Sequence, residues 1–197
     1  MTRSGYVALL GRPNVGKSTL LNRLLGQKIS ITSSKPQTTR HQILGIHSLP
    51  DTQIVYVDTP GLHLKARKAM NRYLNRTASQ ALGYVDVVVW LVEALRWTEE
   101  DDYILGALGD FTGPVVLVLN KIDRVRDKQA LLPFIQAVSA RREFAEVIPL
   151  SALRRDNLAV LEDSLAGLLP EGDFLFDESQ ITTASRRFLA AEVVREK

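Results

Sequence analysis

Apolar positions along the chain fall into short runs of strand length, separated by stretches in which they recur every three or four residues. The runs are Tyr6–Leu10, Ile43–His47, Gln53–Val57, Val85–Val92, Val115–Leu119 and Val147–Leu150. Helical periodicity follows most of them, over Lys17–Leu25, roughly Leu64–Leu82, Glu99–Leu108, Lys128–Arg141 and Asn157–Leu168. β-Branched runs alternating with amphipathic helices predict βαβ units, hence an α/β fold with a mostly parallel sheet and helices on both faces. One connection breaks the rule. Only Ser48–Thr52 separates the second and third runs, enough for a hairpin but not for a crossover helix. The prediction is therefore a six-stranded sheet with one antiparallel strand at its edge. From Leu169 the composition turns to Leu-Pro-Glu-Gly-Asp-Phe-Leu-Phe-Asp-Glu-Ser, which has linker character. A last helix, about Thr182 to Lys197, reaches the chain end without a cap, which predicts that the natural protein continues. The expected division is a domain over 1–169, a linker over 170–181 and a helix over 182–197.

Composition narrows this picture only a little. A chain of 197 residues, 45% hydrophobic, suits one ordinary domain with a short appendage. No cysteine is present, so neither a disulfide nor a thiolate-bound metal holds it together, and a reducing, cytosolic setting fits. Tyr6–Leu10 is too short, and too soon followed by Gly11, for a signal peptide. The longest apolar run contains Asp86 and reads as a buried strand, not a membrane span. A net charge of +3 suits nucleic acid or an anionic membrane surface and demonstrates neither.

The chemistry begins at Gly11-Arg12-Pro13-Asn14-Val15-Gly16-Lys17-Ser18, a G-x-x-x-x-G-K-[ST] pattern placed between a strand and a helix. Its glycines let backbone N–H groups from Asn14, Val15, Gly16, Lys17, Ser18 and Thr19 curl around a phosphate at a helix N-terminus. Lys17 would reach the β- and γ-phosphates and Ser18 would hold Mg²⁺. The second signal is Asp58-Thr59-Pro60-Gly61 at a strand's carboxyl end, where ligands gather in open α/β sheets. Asp58 can fix Mg²⁺ through water, and the Gly61 N–H can meet the γ-phosphate. Alone, Asp-x-x-Gly marks a turn. The third signal, Asn120-Lys121-Ile122-Asp123, selects the base. Guanine offers two adjacent donors that one carboxylate accepts together, and adenine lacks that pair, so Asp123 selects GTP or GDP. Asn120 and Lys121 would pack and hydrogen-bond around the base and the phosphate loop. Ser151-Ala152-Leu153 would give a backbone N–H to the guanine O6, although by itself it is an ordinary helix-start turn. Within Gln37-Thr38-Thr39-Arg40, Thr39 would close over Mg²⁺ and the γ-phosphate; without the other motifs an ordinary Thr-rich loop would be the better account. A P-loop kinase is disfavoured by Asn120-Lys121-x-Asp123.

In this order the motifs resemble the translation-factor-related GTPases, and within them the Era-like family. The specific resemblance lies in Gly26-Gln27-Lys28-Ile29-Ser30-Ile31-Thr32-Ser33, Gln37-Thr38-Thr39-Arg40-His41, Gly45-Ile46-His47 and Asp58-Thr59-Pro60-Gly61-Leu62-His63, with a further match over Ser185–Lys197. It implies a P-loop NTPase of the Ras-like G-domain kind that hydrolyses GTP slowly, with Lys17, Thr39, Gly61 and Asn14 at the reacting end and Mg²⁺ on Ser18, Thr39 and Asp58. It further implies a C-terminal KH domain, of which 182–197 would be the first helix, that binds small-subunit ribosomal RNA during assembly of the small ribosomal subunit. A cytoplasmic monomer, with peripheral association at the inner face of the plasma membrane as an added option, belongs to the same expectation. Related GTPases with an Asn at the position of Asn14 use it to hold K⁺ where an arginine finger would otherwise sit; the alternative is that Asn14 merely stabilises the turn, and both readings stand.

Three features resist simple assignment. Leu62 stands where Ras-like enzymes carry the glutamine that orients water, and neither Arg12 nor Arg40 is evidently a finger. Lys65, Lys68, Arg72 and Arg76 recur at helical spacing as a cationic stripe, for which a solvated face is favoured over a nucleotide-gated phosphate contact. Gly106-Ala107-Leu108-Gly109 matches the G-x-x-G of KH loops, but it ends an acidic helix and reads as a C-terminal turn. Two outputs fit the whole: a GTPase switch serving ribosome assembly, or a binding module whose nucleotide only sets affinity for RNA or membrane.

Overall fold

The apolar runs become the strands of one sheet, and in its interior strands the residues alternate between two buried faces. A computed structural model of the chain describes residues 1–30, 43–59, 81–185, 187, 188 and 194. In these residues β1 (Arg3–Leu10), β2 (Ile43–Ser48), β3 (Thr52–Asp58), β4 (Val87–Glu93), β5 (Val115–Asn120) and β6 (Glu146–Pro149) form a six-stranded sheet in the order β2-β3-β1-β4-β5-β6. All neighbours are parallel except β2 and β3, which pair antiparallel from Ile43 opposite Asp58 to Ser48 opposite Gln53. The short Ser48–Thr52 connection is thus the hairpin that puts β2 at the edge. Val7, Leu9, Val87, Val89 and Leu91 face one core with Leu20 and Leu21 of α1 (Lys17–Leu24) and Leu161 and Leu165 of α4 (Leu158–Leu168). Ala8, Leu10, Val88, Trp90 and Val92 face the other, with Ile104 of α2 (Glu99–Ala107) and Val138 of α3 (Leu131–Ser139). Burial on both faces is why the strands read as continuous apolar runs.

Local chemistry moves several boundaries. β1 starts at Arg3, ahead of Tyr6, because Arg3, Ser4 and Gly5 pair with Thr52–Ile54 of β3. β4 starts at Val87, past Val85, since Asp86 is spent on joining strands: its carboxylate accepts the Tyr6 N–H at 2.8 Å while its own N–H donates to the Tyr6 carbonyl at 2.9 Å. α3 begins at Leu131 in place of Lys128 because Asp127 caps a separate 3-10 turn, Lys128–Ala130, by accepting the Gln129 N–H. The segment Gly106–Gly109 closes α2, with the Gly109 N–H donated to the Gly106 carbonyl at 3.1 Å. Of the stretch Leu64–Leu82, all but Ala81 and Leu82 lies outside the described residues.

Residues 170–182 do not hang free. Gln53, fully buried on β3, clamps the backbone of one residue of this segment: its Nε2 donates to the Phe176 carbonyl and its Oε1 accepts the Phe176 N–H, both at 2.9 Å. The Ile46 N–H donates to the Ile181 carbonyl at 2.7 Å, and the Thr182 hydroxyl donates to the Leu44 carbonyl at 2.6 Å. Thr182 is therefore extended, bridged to Gly45 of β2, and is not the first residue of a helix. Helical geometry is found at Arg187, Phe188 and Val194, with the Ser185 hydroxyl accepting the Phe188 N–H. Pairing along β2 covers part of an edge that would otherwise present unpaired backbone groups.

Candidate nucleotide-binding site

Four of the parallel strands deliver their carboxyl ends to one rim, and each carries one piece of the predicted site. After β1 the chain turns through Gly11 (φ 151°), Asn14 (φ 62°) and Gly16 (φ 107°) before entering α1 at Lys17. Two of these glycines are dictated by space as well as by φ. A Cβ on Gly11 would stand 2.6 Å from the Leu91 carbonyl oxygen, and one on Gly16 would stand 2.3 Å from the Asn120 side-chain nitrogen. Lys17 folds back into the loop, where Nζ donates to the carbonyls of Gly11 at 2.9 Å and Arg12 at 3.0 Å. An ammonium has three donors, so one is left for an anion. Burial lowers the Lys17 pKa to about 8, against the attraction of Asp58 and with added repulsion from Arg12. A phosphate in the loop would restore the charge that burial disfavours.

At the end of β3, Asp58 is fully buried. Its Oδ2 accepts the Ser30 hydroxyl at 2.6 Å and lies 3.4 Å from the Ser18 hydroxyl. Ser30 is itself placed by Asn22 of α1, which accepts the N–H groups of Ile29 and Ser30 and donates to the Ser30 carbonyl. Hydroxyl and carboxylate oxygens converging beside a phosphate loop suit a hard divalent cation that keeps several waters, so Ser18 and Asp58 fit Mg²⁺. Thr59 points the other way, bonding the Leu9 carbonyl at 2.7 Å. Thr39 and Gly61, with Gln37–Arg40, Pro60–His63 and the stripe of Lys65, Lys68, Arg72 and Arg76, lie outside the described residues.

The base end is built by β5 and β6. Asn120 donates from Nδ2 to the Val15 carbonyl at 2.7 Å and accepts the Ala152 N–H on Oδ1 at 3.0 Å. The Ser151 hydroxyl donates to Asp123 Oδ1 at 2.5 Å and accepts the Arg154 N–H, while the Ser151 N–H goes to the Asp156 carbonyl. So Ser151 orients the carboxylate and does not offer its own amide to a base, and the Ala152 amide is already shared with Asn120. Lys121 is held in a left-handed conformation (φ 67°) with Nζ 3.2 Å from Glu93. Between these walls lies a cleft of about 370 Å³ lined by Asn14, Gly16, Thr19, Asn120, Lys121, Asp123, Arg124, Ala152 and Leu153. The structure thus brings together every described residue that sequence placed here. Arg12, not evidently a finger from sequence, is buried, with Nη2 3.1 Å from Glu93 and Nε 3.4 Å from Asp101, and so is committed to two carboxylates and not to a phosphate. Sequence reasoning missed Ser30, Asn22, Glu93 and Asp101. Glu93 alone gave a signal, as a charge closing the most apolar strand at the ligand rim.

Comparison with known proteins places this geometry. A family model described as 50S ribosome-binding GTPase matches residues 6–121. The GTPase Era of Azotobacter vinelandii is 57% identical over 195 residues, covering 99% of this chain and 65% of that protein. The GTPase Era of Pseudomonas fluorescens is 55% identical over 196 residues, covering 100% of this chain and again 65% of the relative. The chain therefore spans just under two thirds of the length of these curated relatives. Among solved structures, Era in complex with MgGDPNP and nucleotides 1506–1542 of 16S ribosomal RNA superposes with a TM-score of 0.95 at 40% identity, over 100% of this chain and 67% of that one. An Aquifex aeolicus Era variant bound to GDP·AlF4⁻ gives 0.91 at 40% identity, over 99% and 66%.

The depressed Lys17 pKa generates a prediction about the ligand-free chain. Below pH 8 the folded state must hold an ammonium that burial disfavours; as pH rises from about 8 towards 10.5 the unfolded chain binds more protons than the folded one, so folding gains stability with pH. Relative to Lys17→Met, which has no such proton, the wild type should gain about 2 kcal/mol between pH 7.5 and pH 9.5. Urea denaturation of both chains at each pH checks it; a pH-independent difference would show that Lys17 is not strained by burial.

Proposed function

Since the chain belongs to the Era family of GTPases, we propose that it binds GTP with Mg²⁺ and hydrolyses it to GDP and phosphate. The observation that carries this reading is Asp123, held by the Ser151 hydroxyl at one end of a cleft whose other end is the phosphate loop. A carboxylate fixed there accepts the paired N1–H and N2 donors of guanine, each bond charge-assisted. At the opposite end Lys17 and the amides of the loop would receive phosphate oxygens, Ser18 and Asp58 would hold Mg²⁺, and Thr39 and Gly61 are assigned to the γ-phosphate by their place in the motifs. Bound Mg²⁺ would offset charge on the phosphate oxygens. Leu62 carries no group able to orient water and Arg12 is tied to carboxylates, so hydrolysis depends on positioning and electrostatics, and slow unaided turnover follows. Asn14 is part of the proposal as a K⁺ ligand, supported by its position on the cleft wall. Its left-handed φ of 62° supports the competing account in which it serves the turn, because Asn tolerates that conformation better than most residues.

The output we propose is assembly of the small ribosomal subunit and maturation of its RNA, in the cytoplasm. Support for the small subunit comes from the relative solved with a 16S ribosomal RNA fragment; the family description, a 50S ribosome-binding GTPase, supports a ribosomal partner without singling out that subunit. The division into a G domain over 1–169, a connecting segment over 170–181 and the start of a KH-type domain over 182–197 is part of the same proposal, with RNA read mainly by the KH module. Among the described residues no helix is long and apolar enough to cross a membrane.

Asp123→Asn should lower GTP affinity roughly 10²- to 10⁴-fold and shift preference towards xanthosine nucleotides, whose 2-oxo group needs a donor. Unchanged GTP affinity in this variant would sink the guanine assignment. Turnover assays in K⁺ and Na⁺ salts at equal ionic strength, each with and without small-subunit ribosomal RNA, test the rest. Faster hydrolysis in K⁺, abolished by Asn14→Ala, supports the second cation, and equal rates leave Asn14 with the turn. A response of the full-length relative to the RNA supports the ribosomal role, and indifference to it argues against that role.

A further inference from the structure

Glu93 closes β4 at the ligand rim, paired in register with Asn120 of β5. Its Oε2 gathers three cations from separate parts of the site. Arg12 Nη2 comes from the phosphate loop at 3.1 Å, Lys121 Nζ from the base loop at 3.2 Å, and Arg96 Nη1 from the turn before α2 at 3.9 Å. Arg12 extends the set to Asp101, which is fully buried and completes the capping box of α2 with Thr98. Ion pairs at an open surface contribute little, but here Arg12 is only 6% exposed, and removing one partner of a buried set leaves the others uncompensated. Burial works against the charge on Glu93, yet the bonds from Lys121 and Arg12 outweigh it and hold its carboxyl below the ordinary range.

Asn120 joins the two loops on their buried side, through Val15 and Ala152. Glu93 ties the phosphate loop to the loop that leaves β5, through the charged side chains of Arg12 and Lys121. We propose that Glu93 is a positioning residue which, by holding Arg12 and Lys121 on one oxygen, locks the phosphate loop to the base loop, so that phosphate binding and base recognition act as one unit. Lys121 matters because it sits in a left-handed conformation between Asn120 and Ile122, and the direction in which the chain leaves it sets where Asp123 points. Arg12 matters because its carbonyl is one of the two that seat Lys17. Freed of Glu93, each loop would relax on its own.

This inference rests on the guanine-nucleotide reading, and its test separates the two. Affinities for GDP, IDP and GMP are measured by competition on the 197-residue wild type, Glu93→Gln and Glu93→Asp, with thermal melting of each chain as the folding control. IDP lacks the N2 amino group that Asp123 accepts, so the GDP-over-IDP ratio reads the base end; the GDP-over-GMP ratio reads the phosphate end. In Glu93→Gln both ratios should fall roughly 3- to 30-fold, within the range of coupling between neighbouring groups. Glu93→Asp, which keeps the charge, should retain more of each. If Glu93→Gln melts too low to assay, Arg12→Lys, which keeps a cation but loses the guanidinium fork, should move both ratios the same way by less. A merely structural role would weaken all three ligands in proportion and leave the ratios alone. Constancy of either ratio overturns the proposal. A wild type with no preference for GDP over IDP would instead overturn the guanine reading, and this inference with it.

Discussion

One side-chain amide, that of Asn120, holds together loops that leave three different strands. Its nitrogen donates to Val15 in the phosphate loop and its oxygen accepts from Ala152 after β6, while its own backbone ends β5. Asn120 is 2% exposed, so water cannot replace either partner, and leaving both groups unsatisfied would cost on the order of 2–6 kcal/mol. The contact also explains a feature of the phosphate loop that its ligand alone does not. Gly16 must lack a side chain because the Asn120 amide occupies the space where a Cβ would stand. Phosphate end and base end are thus built against each other by bonds within the chain itself, which is what preorganisation means in structural terms.

Charge is arranged around that frame with the same economy. Lys17 is seated on two carbonyls with one donor left over, and its pKa is lowered mainly by burial, a cost that an anion beside it would relieve. Arg12, one step along the loop, is kept off the anion by Glu93 and Asp101. The loop therefore presents backbone donors and a single lysine, with its arginine turned into a structural tie. That division fits the slow unaided turnover proposed above, because the arginine of the loop is held by carboxylates and is not available to the phosphate.

Much of this was legible in the chain. Apolar runs bounded by turn residues predicted the strands, and the five-residue Ser48–Thr52 link predicted the antiparallel edge. The nucleotide motifs were readable because phosphate and guanine each require particular atoms at particular offsets. Boundaries were less legible where polar side chains do structural work. Asp86 looked like a blemish in an apolar run and is the group that ties β4 to β1. Asp127 split a predicted helix by capping the 3-10 turn ahead of it. Long-range partners were not legible at all: nothing near Gln53 in sequence announces that it clamps Phe176, and Ser30 carries no local sign of its bond to Asp58. Residues 170–181 read as a linker by composition, yet the segment ends paired to the sheet edge at Ile181 and Thr182, because β2 offers unpaired groups that composition cannot reveal.

The central claim is that Asn120 fixes the frame in the absence of ligand, and amide hydrogen exchange at Ala152 reads it directly. In the nucleotide-free wild type the Ala152 N–H is donated to the Asn120 side chain and should exchange slowly, although residues 151–157 form a turn with exposed positions. In Asn120→Ala the same amide should exchange roughly 5- to 150-fold faster, matching the loss of about 1–3 kcal/mol of local protection. Amides within β4 should keep their wild-type rates, showing that the fold itself is intact. Unchanged protection of the Ala152 amide in Asn120→Ala would contradict the account, because the loops would then be held by something other than this side chain.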